Sequence, residues 1–369
     1  MISRRRFIQQ AGAAALTLPF VPGLHATEIT RPNRAAWIMP DEAAPHERTW
    51  MAFGASAQIW GERLLPAVQK NLADIALTIA KYESVSMLVR KEDMEIARAL
   101  MGDKVDLIEG QLDDLWARDT APLFVLNEQG DKAAVDFNFN GWGNEQQHRL
   151  DASVAKQIAR LSHTQRIQAR IVMEGGCIEV DGQGTAIIAE SCTLNANRNP
   201  GISKAQFEDL LMPLLGLEKI IWIPGIQGRD ITDGHTDFYA RFTSPGNVVV
   251  GIDTYPESYE YELTREHWEI LSAATDAQGN RLSLHALETP DTIREEFDSK
   301  EFAAGYVGFY VCNHAVLMQE FGDKTADAKA KATMERLFPE RTVEALNVDA
   351  IAAGGGSIHC ATQQEPQII

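Results

Sequence analysis

Apolar residues recur at helical spacing in five separate stretches of the chain. Positions three and four residues apart fall on one face of an α-helix, so each stretch can bury one side against a core. The pattern therefore predicts five amphipathic helices, at about 63–81, 151–161, 204–215, 262–274 and 326–337.

Each predicted helix is followed by a short apolar run that is typical of a strand. These runs lie at 84–89, 169–174, 219–224, 281–287 and 342–346. Between a run and the next helix, two further strands surround a turn, as at 122–137, where Gly130 lies at the turn. Turns are predicted in the same way at 181–184 and 244–247, and a hairpin without an obvious glycine turn at 306–319.

A unit of hairpin, helix and strand thus recurs about every fifty to eighty residues. We predict one ring-like α/β domain of five such ββαβ modules, spanning residues 27–369. An ordinary α/β sheet with a regular alternation is the alternative. In a ring, polar clusters at equivalent positions converge near one axis. Four such clusters follow the last strand of a unit: WARD at 116–119, MEGG at 173–176, TDGHTD at 232–237 and GGGSIHC at 354–360.

Cys360 is the candidate nucleophile of the predicted pocket. It follows three glycines at 354–356, which allow a tight turn and a close approach of the backbone to a ligand. His359 and His235 are the candidate bases. In an extended segment neighbouring side chains point to opposite faces, so His359 should face away from the group that Cys360 attacks. We therefore favour His235.

Acidic residues surround this pair in the predicted pocket. Alternation along TDGHTD places Asp233 and Asp237 on the side of His235, and Asp119 and Glu174 belong to the neighbouring clusters. Carboxylates close to a thiol oppose its ionisation, and a cationic ligand removes that cost. A guanidinium group suits best, because its planar NH groups pair with carboxylates and its charge is permanent.

The N-terminal residues predict export. Residues 3–8 (SRRRFI) form a twin-arginine pattern, and the apolar stretch at 11–21 is too short to span a bilayer. We predict a signal peptide at 1–26 and a periplasmic or secreted mature protein without membrane contact. The formal net charge of -18 argues against nucleic-acid binding and permits a cationic substrate.

The four cysteines show neither a CxxC pair nor the Cys/His spacing of a zinc site. A disulfide framework is therefore not expected, and no metal or other cofactor is predicted. Cys177, Cys192 and Cys312 lie among apolar or ordinary turn residues, and we interpret them as structural.

Several longer blocks carry a family resemblance: MPDEAAPHERTWMAFG at 39–54, LWARDTAP at 115–122, FNFNGWG at 137–143, MEGGCIEVDGQGTAIIAESCTLNANRNPG at 173–201, TDGHTDFYARF at 232–242, QEFGD at 319–323 and GGGSIHCATQQEP at 354–366. In this order they resemble the agmatine deiminase family, with its peptidyl-arginine deiminase relatives of bacterial type. The resemblance covers nearly the whole mature chain. It implies a five-bladed α/β propeller with a central active site, no metal, and a homodimer in many members.

The resemblance also implies roles for the clustered residues. Cys360 attacks the guanidinium carbon, and His235 protonates the departing ammonia and then activates water against the thiouronium. Asp119 and Asp237 hold the guanidinium nitrogens, with Trp116 beside them. Glu174 orients His235 or shares in binding. The substrate is then a small cationic guanidine, most simply agmatine, which would yield N-carbamoylputrescine.

The chain departs from the family pattern at Ala43, Phe53, Gly54, Ala121 and Gly308. These positions lie outside the proposed catalytic groups, so we expect them to affect how the protein binds the end of the substrate opposite the guanidine group. Peptidyl or free arginine is accordingly an alternative substrate. Two other hypotheses are a metal-dependent hydrolase built on His235, Glu174 and the aspartates, and a non-catalytic periplasmic binder of cationic ligands.

Overall fold

Five small sheets follow one another in the computed structural model, which describes residues 37–297 and 299–368. The predicted signal peptide lies outside these residues, and those that are described belong to one compact unit. The strands are β1 (His46–Phe53), β2 (Val85–Val89), β3 (Asp106–Glu109), β4 (Leu123–Leu126), β5 (Lys132–Asp136), β6 (Gln165–Gln168), β7 (Ile178–Val180), β8 (Thr185–Ala189), β9 (Lys219–Ile223), β10 (Ala240–Ser244), β11 (Asn247–Ile252), β12 (Ser283–Glu288), β13 (Tyr310–Cys312), β14 (Ala315–Gln319), β15 (Thr342–Leu346) and β16 (Thr362–Pro366).

Long helices connect the second and third strands of each module. The helices are α1 (Ala57–Ile79), α2 (Met94–Met101), α3 (Ala117–Thr120), α4 (Gly141–Asn144), α5 (Val154–Leu161), α6 (Glu190–Thr193), α7 (Lys204–Leu215), α8 (Glu260–Ala273), α9 (Lys324–Leu337) and α10 (Asp349–Ala352). The predicted helices correspond to α1, α5, α7, α8 and α9. None of the helices in the described part of the chain combines the length and apolar character that a membrane crossing requires.

Every sheet repeats the same pairing. An antiparallel hairpin is followed by a helix and a strand that pairs in parallel with the second hairpin strand, as in β4–β5–β6 and β7–β8–β9. One module is assembled from both ends of the chain, because β16 pairs antiparallel with β1, and β1 pairs in parallel with β2. The predicted α/β fold of five repeated modules is thus confirmed.

Burial explains why the middle strands are almost continuously apolar. Strands β8 and β14 are buried along their whole length, whereas β6 and β12 are largely exposed. A strand that is covered on both faces has no polar face, which is typical of parallel pairing beneath a helix. The outer strands β6 and β12 accordingly carry more polar residues than β8 and β14.

Local signals set the ends of the helices. Ser203 caps α7 by accepting a hydrogen bond from the backbone N–H of Gln206, whose side chain in turn accepts from the Ser203 N–H. The helix ends at Gly216, which has a left-handed backbone with φ 69°. Asp323 caps α9 by accepting from the backbone N–H groups of Thr325 and Ala326.

One predicted strand is wrong. Residues 169–174 are not in a sheet, and the third strand of that module is β6, four residues earlier. The reason is that side-chain amides replace the ladder: Asn138 Nδ2 donates to the carbonyls of Ala169 and Ile171, and Asn199 bonds both backbone groups of Val172. An apolar run held in this way is indistinguishable from a strand by pattern alone.

Candidate active site

Three of the four polar clusters line one cavity of about 130 Å³, and the fourth, at 173–176, contacts His235 through Glu174. Cys360, His235, Asp119 and Trp116 line it, as the convergence argument predicts. Glu174 and Asp237 do not line the cavity; they lie directly behind these residues and contact His235. Trp60, Asp114, Trp142 and Gln146 complete much of the wall.

The glycine run before Cys360 is required by two tryptophans. A Cβ at Gly354 would lie 2.3 Å from the ring of Trp60, and one at Gly356 would lie 2.1 Å from the ring of Trp116. The two indoles are themselves stacked at an angle, with ring centroids 5.7 Å apart. The absence of these side chains therefore lets the indoles lie against the backbone that leads to Cys360.

The sulfur of Cys360 lies between a hydroxyl and a carboxylate. It is 3.2 Å from Ser357 Oγ and 3.9 Å from Asp237 Oδ2. Burial raises the pKa of Cys360 well above its usual value, and the charges of Asp237 and Asp119 add to this, whereas Ser357 opposes it. The resting group is thus a thiol, and a cation beside the two carboxylates would favour the thiolate.

Gly308 makes the position of Ser357 possible. A Cβ at residue 308 would lie 2.3 Å from the Cβ of Ser357. Gly308, one of the positions that differ from the family pattern, therefore packs against Ser357, whose hydroxyl contacts the sulfur of Cys360.

His235 is enclosed by three carboxylates. Its Nε2 lies 3.4 Å from Glu174 Oε2, and its Nδ1 lies 3.8 Å from Asp119 Oδ1 and 4.0 Å from Asp237 Oδ1. Burial lowers the pKa of His235, but Cys177 and the carboxylates outweigh it, and the pKa is held well above the usual value. The carboxylates are the effective cause, because burial also raises the pKa of Cys177 and keeps that group a neutral thiol. His235 is consequently cationic in the resting site.

Asp119 is aimed by two donors. Trp142 Nε1 donates to its Oδ2 over 3.0 Å, and the backbone N–H of Gly176 donates to its Oδ1 over 3.1 Å. Burial raises the pKa of Asp119; His235 opposes this shift, and the carboxylates of Asp237 and Glu174 add to it. A guanidinium ion in the cavity would offset the negative charge of Asp119 and its neighbouring carboxylates.

Glu174 is a fully buried anion. Its Oε1 accepts from Arg198 Nε over 3.1 Å, and its Oε2 accepts from the Cys177 thiol over 3.1 Å. Burial disfavours its charge, but the contacts with His235 and Arg198 outweigh burial and lower the pKa to about 2. This arrangement suits orientation of His235 better than contact with a ligand.

A buried polar network supports Asp237 from below. His359 bridges Asp237 Oδ2, 2.7 Å from its Nδ1, and Glu42 Oε2, 2.9 Å from its Nε2. Glu42 also contacts Arg118 Nη2 at 3.0 Å and Arg241 Nη2 at 2.8 Å. His359 faces away from the cavity, as predicted, yet it positions Asp237, which sequence reasoning missed.

The prediction for Asp233 is wrong. Its Oδ2 accepts from Arg198 Nη1 over 2.5 Å and from the Asn195 amide over 3.0 Å, outside the cavity wall. Asp233 and Gly234 both have positive φ, 64° and 86°, so the chain turns here and the alternation of an extended strand does not hold. Arg198 was missed as well, although it stands in the quoted block at 173–201.

Asp114 is a further missed residue of the cavity wall. Its carboxylate accepts from Trp60 Nε1 over 2.8 Å and from Gln146 Nε2 over 3.0 Å, and burial raises its pKa. Gly54 permits this placement, because a Cβ there would lie 2.1 Å from the Asp114 carbonyl oxygen. In the described part of the chain, no Lys or Arg lines this cavity. The signal in the sequence that could have identified Asp114 is its position two residues before the WARD cluster.

Comparison with known proteins agrees with this geometry. The sequence matches the pattern of the Porphyromonas-type peptidyl-arginine deiminase family over residues 38–366. The chain belongs to this family. The suspected resemblance is therefore confirmed, and the protein is a C–N hydrolase that acts on amidines.

Individual relatives match almost end to end. A Streptomyces coelicolor protein, named as a provisional agmatine deiminase, is 40% identical over 336 residues, or 89% of this chain and 98% of the relative. The agmatine deiminase of Pseudomonas aeruginosa is 35% identical over 358 residues, or 91% of this chain and 97% of that one. The structure of the Enterococcus faecalis agmatine deiminase aligns with a TM-score of 0.84 and 31% identity, over 90% of this chain and 97% of that one. The deiminase fold is thus shared throughout.

Proposed function

We propose that the protein hydrolyses the guanidine group of agmatine to N-carbamoylputrescine and ammonia. The observation that carries this proposal is the meeting of a thiol, an imidazolium and buried carboxylates at one cavity. Cys360, His235 and Asp119 line it, and Asp237 lies within 4.0 Å of both the sulfur and the imidazole.

Substrate charge prepares the nucleophile in this proposal. A guanidinium ion beside Asp119 and Asp237 offsets the two charges that oppose ionisation of Cys360. The thiol then loses its proton to solvent water, and the thiolate attacks the guanidinium carbon to form a tetrahedral adduct. The imidazolium of His235 gives its proton to the departing nitrogen, so that ammonia leaves and an S-alkylthiouronium remains.

Hydrolysis completes the cycle. The now neutral His235 takes a proton from water, which adds to the thiouronium carbon, and the C–S bond breaks. The products are the ureido compound and the Cys360 thiol, with His235 returned to its charged form. Glu174, 3.4 Å from Nε2, favours that charged form at both ends of the cycle.

Asp114 supports agmatine as the substrate. Its carboxylate is bonded by neutral groups, among them the side chains of Trp60 and Gln146. A primary ammonium ion would supply the missing opposite charge, whereas the carboxylate of arginine would be repelled. A cavity of about 130 Å³ also holds roughly ten atom-sized spheres. That is close to the size of agmatine.

The substrate assay distinguishes these possibilities. Ammonia release should be measured with agmatine, free arginine and an arginine-containing peptide. Agmatine should react with the highest kcat/KM, and Cys360→Ala should abolish the reaction. Turnover of the peptide above agmatine would contradict the assignment, and restoration of a chelator-treated enzyme only by added metal would favour the metal-dependent hydrolase. Binding of agmatine without any turnover would favour the periplasmic binder.

Export is part of the same proposal. It is supported by the SRRRFI pattern at residues 3–8 and the apolar stretch after it. The enzyme would then act in the periplasm or outside the cell, as a single deiminase domain over residues 27–369. Replacement of Arg4 and Arg5 by lysine should retain the protein in the cytoplasmic fraction of its host. Unchanged export of that variant would refute the twin-arginine route.

A homodimer is proposed on the strength of the family resemblance alone. Sedimentation of the mature chain should give twice the monomer mass. A monomeric mass at assay concentration would refute it.

A further inference from the structure

Cys177 lies beside the catalytic pair without a place in the proposed reaction. Its sulfur, Glu174 Oε2 and a ring nitrogen of His235 all lie within 4.8 Å of one another. All three side chains are buried, with exposed fractions of 0%, 0% and 1%. Cysteine, histidine and carboxylate are the ligands that zinc uses most often in proteins.

The spacing of the three atoms fits a small tetrahedral ion. Glu174 Oε2 lies 3.1 Å from Cys177 Sγ and 3.4 Å from His235 Nε2. Zinc bonds of about 2.0 to 2.3 Å place neighbouring tetrahedral ligands roughly 3.3 to 3.6 Å apart. These two separations therefore need to change by only a few tenths of an ångström, and the third, between Cys177 Sγ and the ring nitrogen of His235, is within 4.8 Å.

The hydrogen bond from the Cys177 thiol to Glu174 Oε2 would be replaced by bonds from both atoms to the ion. Arg198 binds Glu174 through Oε1 and leaves Oε2 directed at the other two groups. His235 Nε2 is buried without a hydrogen-bond partner, although it faces that oxygen. A buried polar atom without a partner points to a missing ligand or water.

We propose that Glu174, Cys177 and His235 form a binding site for one zinc ion or a comparable soft divalent ion, and that this ion inhibits the enzyme. The site differs from the metal hypothesis raised from the sequence, because it uses Cys177 in place of the aspartates. The mixed sulfur, nitrogen and oxygen set favours zinc over magnesium or calcium.

Inhibition follows from the chemistry of His235. Binding releases two protons, one from the Cys177 thiol and one from Nε2 of the His235 imidazolium, whose lone pair then binds the ion, with no change in oxidation state. An imidazole that holds zinc on Nε2 cannot take up a second proton there. It therefore cannot serve as the imidazolium that protonates the leaving ammonia. This consequence rests on the proposed function, whereas metal binding does not.

Cobalt(II) absorption tests binding independently of turnover. Cobalt replaces zinc in tetrahedral sites, and a thiolate ligand gives an intense sulfur-to-cobalt charge-transfer band. The full chain carrying Cys192→Ala, Cys312→Ala and Cys360→Ala retains Cys177 as its one cysteine, since the natural chain has four. This variant should bind one cobalt ion and show the band. Absence of the band in the folded variant would overturn the proposal.

Two single variants provide the matched comparison. Cys177→Ser should weaken cobalt binding at least about 100-fold, because even outer partners of metal ligands are worth 10- to 100-fold. Cys312→Ser should bind as the natural protein does, since Cys312 lies in β13, where Glu83 and Arg341 are among the nearby charged groups. Undiminished binding in folded Cys177→Ser, with loss in Cys360→Ala, would assign the ion to the nucleophile and overturn the site.

Zinc titration of ammonia release adds the functional result. Zinc should inhibit the natural enzyme reversibly, and Cys312→Ser should respond identically. In Cys177→Ser the concentration for half inhibition should rise at least about 100-fold. A cobalt band without any agmatine turnover would refute the proposed function and leave the metal site standing. Turnover that zinc does not affect, in protein loaded with one ion, would overturn the inhibitory role.

Discussion

Asp114→Asn tests how the far end of the substrate is held. The substitution removes one charge while retaining the shape of the side chain. Its carboxylate now accepts from Trp60 Nε1 at 2.8 Å and Gln146 Nε2 at 3.0 Å, so one of these bonds is preserved by the amide oxygen. The principal loss should be the attraction for a substrate ammonium ion in the cavity.

The size of the effect follows from that lost contact. A hydrogen bond to a charged group contributes about 1.5 to 3 kcal/mol, and 1.4 kcal/mol corresponds to a factor of ten. We expect kcat/KM for agmatine to fall roughly 10- to 150-fold. Butylguanidine has the guanidine but no ammonium group, and its kcat/KM should change less than about threefold.

The assay is ammonia release with both substrates on the natural enzyme and the variant. Thermal unfolding of the two proteins provides the control for folding. Equal losses with agmatine and butylguanidine would refute an ammonium contact at Asp114. A gain in free arginine turnover in the variant would support the repulsion argument, since the carboxylate that opposes arginine is then neutral.

Other substitutions probe the remaining groups. Cys360→Ala should reduce kcat at least about 10⁴-fold while agmatine binding by calorimetry persists; residual turnover near the natural rate would exclude the nucleophile. Glu174→Gln should lower the pKa of His235 by removing the carboxylate 3.4 Å from its Nε2. The decrease of kcat/KM at high pH should therefore begin about one to three pH units lower than in the natural enzyme. A decrease that begins at the same pH in both proteins would contradict the ion pair. His359→Gln should lower kcat/KM about 10- to 150-fold by weakening the 2.7 Å contact with Asp237, with exposed His163→Asn as an unchanged control; equal activity of the two would refute the positioning role. Burial lowers the pKa of His267 to about 4 in the folded protein, so folding favours its neutral form. The free energy of unfolding should therefore be highest above the unfolded pKa and fall by about 3 kcal/mol as the pH falls from about 6.5 to 4. Chemical unfolding of His267→Gln should show a shallower slope in that window, and an identical slope would contradict this.

The repeated pattern was sufficient for the fold because it is local. Helical spacing predicts α5, α7 and α9 almost to the residue, since each helix buries one face, and α7 and α9 also begin at a capping side chain. Residues 169–174 fail because their backbone bonds go to the side chains of Asn138 and Asn199. Nothing in a single run of apolar residues reveals such distant partners.

The residues of the active site likewise fall into those that the sequence predicts and those that only the structure reveals. Cys360 and His235 could be predicted to meet, because equivalent positions in a ring converge at its axis. Asp114 and Arg198 were missed, since neither stands at a repeated position of the modules. Cys177 reads as a buried apolar residue in sequence, and only the fold places its sulfur 3.1 Å from Glu174. Contacts between modules are thus the part that requires the structure.

Trapping the covalent intermediate tests the central claim most directly. The natural enzyme should be mixed with agmatine, quenched in acid during turnover, digested and analysed by mass spectrometry. The peptide that contains Cys360 should gain the mass of agmatine minus ammonia, and Cys360→Ala should show no such gain. Turnover without an adduct on this cysteine, or an adduct on another residue, would contradict the mechanism.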